Sequence, residues 1–164
     1  MQLILLTFII VMIIGAGIYW LRILPGKPKD ENPWPYKTKK YFFSRSEQVF
    51  LHMLNKSINT ERYVVYPKVR IADFVDITTG GKERLKWWNK IKSKHIDFLI
   101  WDTQEQRIAL AIELDGKSHK KEDSRISDEF KNKLCNTINI RLERIKVGSD
   151  FAAEIGRLEE LLVA

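Results

Sequence analysis

Residues Leu3 to Leu21, LILLTFIIVMIIGAGIYWL, form a 19-residue run with no Asp, Glu, Lys or Arg, and nothing else in the chain so narrows what its first part can fold into. As a helix the run spans roughly 28 Å, close to the hydrocarbon thickness of a bilayer. It predicts a transmembrane anchor. The rival, a cleaved signal peptide with Gly15-Ala16-Gly17 as its cleavage site, fits less well, because no basic residue precedes the run and the run exceeds a usual signal core. Tyr19 and Trp20 stand where an interfacial aromatic belt lies, and basic residues from Arg22 to Lys40 follow. The positive-inside rule then predicts a single-pass protein of the inner (cytoplasmic) membrane, with its C-terminal domain in the cytoplasm.

Charge divides the chain in the same place. Of the formal +7, residues 1–43 carry +4 and residues 44–164 only +3, so much of the basic excess sits where anionic headgroups would meet it. Pro25, Pro28, Pro33 and Pro35, mixed with lysines, resist helix and strand and predict a stiff spacer. The expected organisation is an anchor at 1–24, a Pro/Lys-rich juxtamembrane linker at 25–43 and one domain at 44–164. Cys135, the one cysteine, excludes an intrachain disulfide and a cysteine-rich metal site and suits a reducing compartment.

Within the domain, Ser44-Arg45-Ser46-Glu47 opens a helix to about Asn59, with Phe50, Leu51, Leu54 and Ile58 at helical spacing. Tyr63 to Val75 reads as a strand bent at Pro67, and residues 80–94 as a basic insertion with a short amphipathic pattern. His95 to Trp101 and Arg107 to Asp115 form a hairpin around Thr103 to Gln106. A helix over Asp123 to Thr137, a strand over Ile138 to Val147 and a last helix capped by Ser149 complete the order αβββαβα. This is an α/β (α+β type) domain with a mixed sheet flanked by helices.

The hairpin concentrates acid. Ile96, Phe98 and Ile100 are expected to share one face, leaving Asp97 on the other; Ala109, Ala111, Glu113 and Asp115 share a face of the next strand, with Asp97 opposite residues 111–113. Three carboxylates crowded together destabilise one another unless a proton or cation intervenes, and hard oxygen ligands suit Mg²⁺ or Mn²⁺. Glu47 lies within roughly 60° of the apolar stripe of its helix, so its carboxylate points either toward the sheet or, as the last residue of a capping box Ser44-x-x-Glu47, back onto the helix start.

These residues resemble a family. His95-Ile96-Asp97-Phe98-Leu99-Ile100, then Ala111-Ile112-Glu113-Leu114-Asp115-Gly116-Lys117-Ser118-His119, Asp128 and Lys131 on a helix, and Leu142-Glu143-Arg144-Ile145 on a strand are similar to the PD-(D/E)XK nuclease superfamily, in its branch of restriction-endonuclease-like domains related to very-short-patch-repair endonucleases. The resemblance covers roughly residues 40–147. It implies a restriction-endonuclease-like αβββαβ core and Mg²⁺-dependent (or Mn²⁺-dependent) hydrolysis of DNA phosphodiesters, with Asp97 as first acid and Glu113 as second. Asp115 stands where the superfamily signature has lysine, as is usual in this branch. Lys117 and Lys131 are the candidates to hold the attacking water or steady phosphorane charge. Lys131 lies about 100° from the centre of the Ile126, Phe130, Leu134 stripe, on a flank that could reach the site, and Asp128 nearly opposite it, so Asp128 is expected in solvent. His119 is a candidate acid or base, whereas His52 and His95 are read as structural and Asp73 and Asp76 as surface acids.

The expected metal ligands are therefore Asp97, Glu113 and Asp115, with Glu47, Lys117, His119 and Lys131 completing the candidate catalytic set. The insertion adds Lys82, Arg84, Lys86, Lys90, Lys92 and Lys94 against Glu83, with Trp87 and Trp88 among them, a pattern suited to phosphate contact and base stacking. The expected activity is a membrane-anchored, metal-dependent DNA endonuclease. The alternatives are a nuclease-fold module that binds nucleic acid or a protein partner without cutting, and a basic surface that serves only the membrane.

Overall fold

The structure, a computed structural model, describes residues 2–23, 34–116 and 121–163, in two units, Met1–Lys40 and Tyr41–Ala164. In the first unit the apolar run forms helix α1, Gln2–Ile23, long and apolar enough to cross a membrane, a property it shares with signal sequences.

In the second unit, Ser44 and Glu47 start α2 (Arg45–Ser57) through a reciprocal cap: the Glu47 N–H donates to Ser44 Oγ and the Ser44 N–H to Glu47 Oε2. Strand β1 runs Tyr63–Arg70 and ends in a 3₁₀ turn, Ile71–Asp73, rather than continuing to Val75. The basic insertion is α3, Gly81–Ile91. Strands β2 (His95–Asp102) and β3 (Arg107–Asp115) form the expected hairpin. Asp102 fixes its turn, accepting the N–H groups of Gln104 and Glu105 and an ion pair from Arg62, which together hold its carboxyl down to about 2. Then come α4 (Lys121–Thr137), β4 (Leu142–Lys146) and α5 (Phe151–Val163). Strand β4 starts later than expected because Ile138 and Asn139 form a turn, Asn139 at φ +55°. The cap of α5 is Asp150, which accepts the Ala152 N–H at 2.9 Å; Ser149 instead donates to the Lys146 carbonyl.

The four strands lie in the order β1-β2-β3-β4, antiparallel except for the parallel β3–β4 pair. A parallel neighbour needs a crossover, and α4 supplies it. One face of the sheet buries Phe98, Ile100, Leu110, Ile112 and Ile145 against Phe50 and Leu54 of α2 and Ile155 and Leu158 of α5. The other sets Ile96 and Ala111 against Ile71, Ile91 and, from α4, Phe130 and Leu134.

The expected alternation breaks at one place. Pro67 faces Phe98 and Val69 faces Ile96, yet Lys68 and Asp97 between them do not join the ladder. Lys68 has φ +55°, a left-handed conformation that costs a residue with a Cβ roughly 1–2 kcal/mol. Across this break the apolar faces exchange: Val65, Phe98 and Ile100 belong to the first cluster, Ile71 and Ile96 to the second. Ile96 therefore does not share a face with Phe98 and Ile100, because the pleat reverses at Lys68. A bulge between Ile100 and Trp101, opposite Leu110 and Ile108, likewise moves Ala109 to the first cluster.

Candidate active site

The pairing of β2 with β3 stops at Phe98–Ile112, so the two strands part where Asp97 and Glu113 would come next in register. At the parting the Leu114 N–H donates to Asp97 Oδ2 at 3.0 Å, and a side-chain carboxylate thus takes over the acceptor role of a ladder carbonyl. Asp97 is fixed and 8% exposed.

Its other oxygen meets a residue that sequence reading missed. Lys68 Nζ donates to Asp97 Oδ1 at 3.0 Å and also to Glu47 Oε1. Glu47 therefore does both things its position allowed: one oxygen caps α2 and the other reaches the sheet. Burial raises the Glu47 carboxyl, but hydrogen bonds from Lys68 and the Ser44 N–H outweigh it and leave the group below its ordinary value. Lys68 escaped notice because a lysine inside a partly alternating strand looks like an ordinary solvated residue; only its left-handed backbone aims it at the parting. His95, expected to be structural, sits beside this group, Nε2 3.7 Å from Asp97 Oδ1. Burial, then the Lys68 charge, hold its imidazole below the usual histidine range.

Glu113 is 6% exposed, and Lys131 from α4 donates to its Oε2 at 2.6 Å. Burial pushes the Glu113 carboxyl up against the pull of Lys131, and the nearby charge of Asp97 adds to the rise. Its Oε1 is buried without a hydrogen-bond partner among the described residues. An orphaned carboxylate oxygen of this kind is costly unless something outside the set completes it. Behind the pair lies fully buried Cys135, whose thiol burial pushes up to about 11, an inert packing group. The inward face of α4 thus carries Lys131 and Cys135, while Ile126 is 56% exposed. Phe130 and Leu134 of the apolar stripe pack against the second cluster, and Lys131, on the flank of that stripe, reaches Glu113.

Asp115 turns to Arg144 of β4, which donates to Asp115 Oδ1 at 2.8 Å and to Asp128 Oδ1 at 3.1 Å. Asp128 is thus a tie between α4 and β4 rather than a solvated acid. The three carboxylates expected to share one cation are drawn to three different cations of the protein: Asp97 to Lys68, Glu113 to Lys131, Asp115 to Arg144. Among the described residues no three of His, Cys, Asp and Glu gather as a metal-holding group. Lys117 and His119 lie outside the described residues. His52 is exposed, and Asp73 pairs with Arg70 on the surface.

The basic helix α3 is exposed up to Ile91, which anchors it in the second cluster. Lys82, Arg84, Lys86 and Lys90 lie on it and Lys92 and Lys94 just after it. Part of the charge has structural work: Arg84 donates to the Ile77 carbonyl at 2.7 Å, and Lys86 pairs with Glu83. Lys90 lies 4.4 Å from the ring centroid of Trp87, and Lys94 5.6 Å from that of Phe130. Trp87 and Trp88 are about two-fifths exposed, a combination of cation and accessible aromatic face.

No curated protein and no solved structure matches this chain significantly. One family profile does, over residues 39–158, a span that takes in the capped helix, the parted strands and Arg144. The chain belongs to the family described as "Protein of unknown function (DUF2726)".

Proposed function

We propose that this protein is a membrane-anchored, metal-dependent DNA endonuclease whose chemistry resides where β2 and β3 part. The observation that carries this reading is Glu113: a carboxylate buried beside Asp97, held by Lys131, with one oxygen left unsatisfied. Such a group is a weak source of stability, since the cost of burying the charges can exceed what the ion pair returns. Oxygen donors of this kind suit a hard divalent cation, so Asp97 and Glu113 are the residues that would hold Mg²⁺ or Mn²⁺. When bound, the ion supplies Lewis-acid stabilisation of the charge that develops on the phosphoryl group.

The chain's own groups divide the remaining work. Lys131 favours the charged form of Glu113 against its burial and sets its orientation. The Leu114 N–H holds Asp97 in place. Arg144, by gripping Asp128 and Asp115 together, fixes α4 and with it Lys131 against the sheet. The lysines of α3 bind phosphates at a distance from the chemistry, with Trp87 and Trp88 available for stacking.

The test is direct. Full-length protein in detergent, given supercoiled plasmid and Mg²⁺ or Mn²⁺, nicks or linearises it, and chelation stops the reaction. Reversing the charge of Lys82, Lys86 and Lys90 to Glu weakens DNA binding roughly tenfold or more at low salt and flattens its salt dependence without changing metal affinity. Equal DNA binding in this variant removes α3 from the interface.

One observation favours a second reading, the inert nuclease-fold module. Asp97, Glu113 and Asp115 already have protein cations, which is what a site that has lost its metal retains. DNA binding without cutting on single-stranded, duplex or branched substrates establishes that alternative.

For α1 we propose an uncleaved anchor with residues 22–164 in the cytoplasm, because basic residues flank the run only on its C-terminal side. A C-terminal tag in intact cells is then protected from external protease. A mature chain beginning near Tyr19 identifies a signal peptide instead.

A further inference from the structure

Lys68 is a lysine in a left-handed backbone in mid-strand, opposite a carboxylate it does not pair with in the ladder, its ammonium shared between two acids from different elements. Such backbone placements persist only where the surroundings over-determine them, and here the two ion pairs do so. We infer that Lys68 is a built-in competitor for the divalent-cation site: its ammonium occupies Asp97 and Glu47 in the cation-free protein and leaves Asp97 when the ion is taken up. This rests on the reading that Asp97 and Glu113 hold a divalent cation.

The charges support an exchange. With all three acids ionised, Glu47, Asp97 and Glu113 set three negative charges against the two ammonium groups of Lys68 and Lys131, so the cluster is short of positive charge by one. A divalent ion added with both ammonium groups in place overshoots to a net positive charge, and an ammonium 3.0 Å from Asp97 repels it at close range. One ammonium must give way. Lys131 is 11% exposed at its side chain and belongs to a helix tied down by Arg144, whereas Lys68 is 23% exposed and reaches water. Leaving Asp97 also frees Lys68 from one of the two contacts that hold its backbone. The protein thereby protects its acids from mutual repulsion while the ion is absent and sets the threshold at which the ion enters.

The experiment measures Mn²⁺ binding by the electron paramagnetic resonance signal of free Mn²⁺, with full-length protein in detergent and no DNA, for wild type and for Lys68→Gly, Lys68→Gln and Lys68→Arg. Lys68→Gly removes the ammonium and suits φ +55°, so it keeps the fold if Lys68→Gln does not; thermal melting checks both. Lys68→Gly and Lys68→Gln should bind Mn²⁺ about tenfold or more tightly than wild type, and Lys68→Arg, which keeps the charge, within about threefold of it. Wild type that binds Mn²⁺ while folded Lys68→Gly binds no more tightly overturns this inference alone. No Mn²⁺ binding by any of the four proteins overturns the cation reading and this inference with it. Binding by Lys68→Gly but not by wild type supports the competitor role in its strongest form.

Discussion

On the proposed endonuclease reading, replacing Glu113 by Gln will lower DNA cutting by about a thousandfold or more while leaving DNA affinity within about twofold. The magnitude follows from what a catalytic cation contributes, several kcal/mol of transition-state stabilisation, at about 1.4 kcal/mol per factor of ten. The separation follows from where the proposed phosphate contacts lie: on that reading Lys and Arg of α3 hold DNA before and after the change. Gln keeps the size of the side chain and an oxygen for Lys131, so the packing around Cys135 and α4 survives and a melting curve shows it. Asp97→Asn should behave in the same way, although its amide loses part of the pairing with Lys68. Plasmid nicking and fluorescence anisotropy on the same preparations read the two quantities. Equal loss of binding and cutting assigns Glu113 to the fold or to the DNA contact and not to the chemistry.

Replacing Lys131 by Met will destabilise the protein by about 3–5 kcal/mol at pH 7, because it strips a buried carboxylate of its counter-ion. For a domain whose total stability lies in the ordinary range of roughly 5–15 kcal/mol this is a large fraction. The loss will depend on pH in a definite direction. Burial already sets the folded-state pKa of Glu113 above the ordinary 4.5, and removing Lys131 raises it further. A carboxyl whose folded value is raised binds its proton more tightly in the folded state, so stability is greatest below about 4.5 and falls as pH rises through the folded value. Urea melts of Lys131→Met should therefore lie close to wild type near pH 4 and well below it near pH 8. Adding Glu113→Gln to Lys131→Met should recover much of the difference at pH 8, since a neutral amide needs no counter-ion. A loss of the same size at both pH values assigns it to packing rather than to charge.

Much of this architecture was open to reading from the chain. Local features that act through neighbouring residues were legible: the uncharged run of α1, the Ser44–Glu47 cap, the β2–β3 hairpin, and the succession of helix α4 and strand β4. Each rests on spacing along one or two elements, where side-chain direction is fixed by a period of 3.6 or 2. Readings failed where a period was extended past a break or a boundary lay one residue further on. Ile96 left its expected face because the pleat reverses at Lys68, and Ser149 lost the α5 cap to the next residue, Asp150.

The sequence by itself determined which residues carry the acid, namely Glu47, Asp97, Glu113 and Asp115, and that an apolar helix stands ahead of their domain. Only the tertiary structure decided which cation each acid meets. Lys68 reaches Glu47 and Asp97 from a third element, Lys131 reaches Glu113 from the flank of the α4 apolar stripe, and Arg144 joins Asp115 to Asp128 across two strands and a helix. These pairings depend on distances between segments 16 to 29 residues apart in the chain. Periodicity states which way a side chain leaves its own element, but ion pairing is set by what stands opposite, and that exists only once the sheet has formed and its strands have parted.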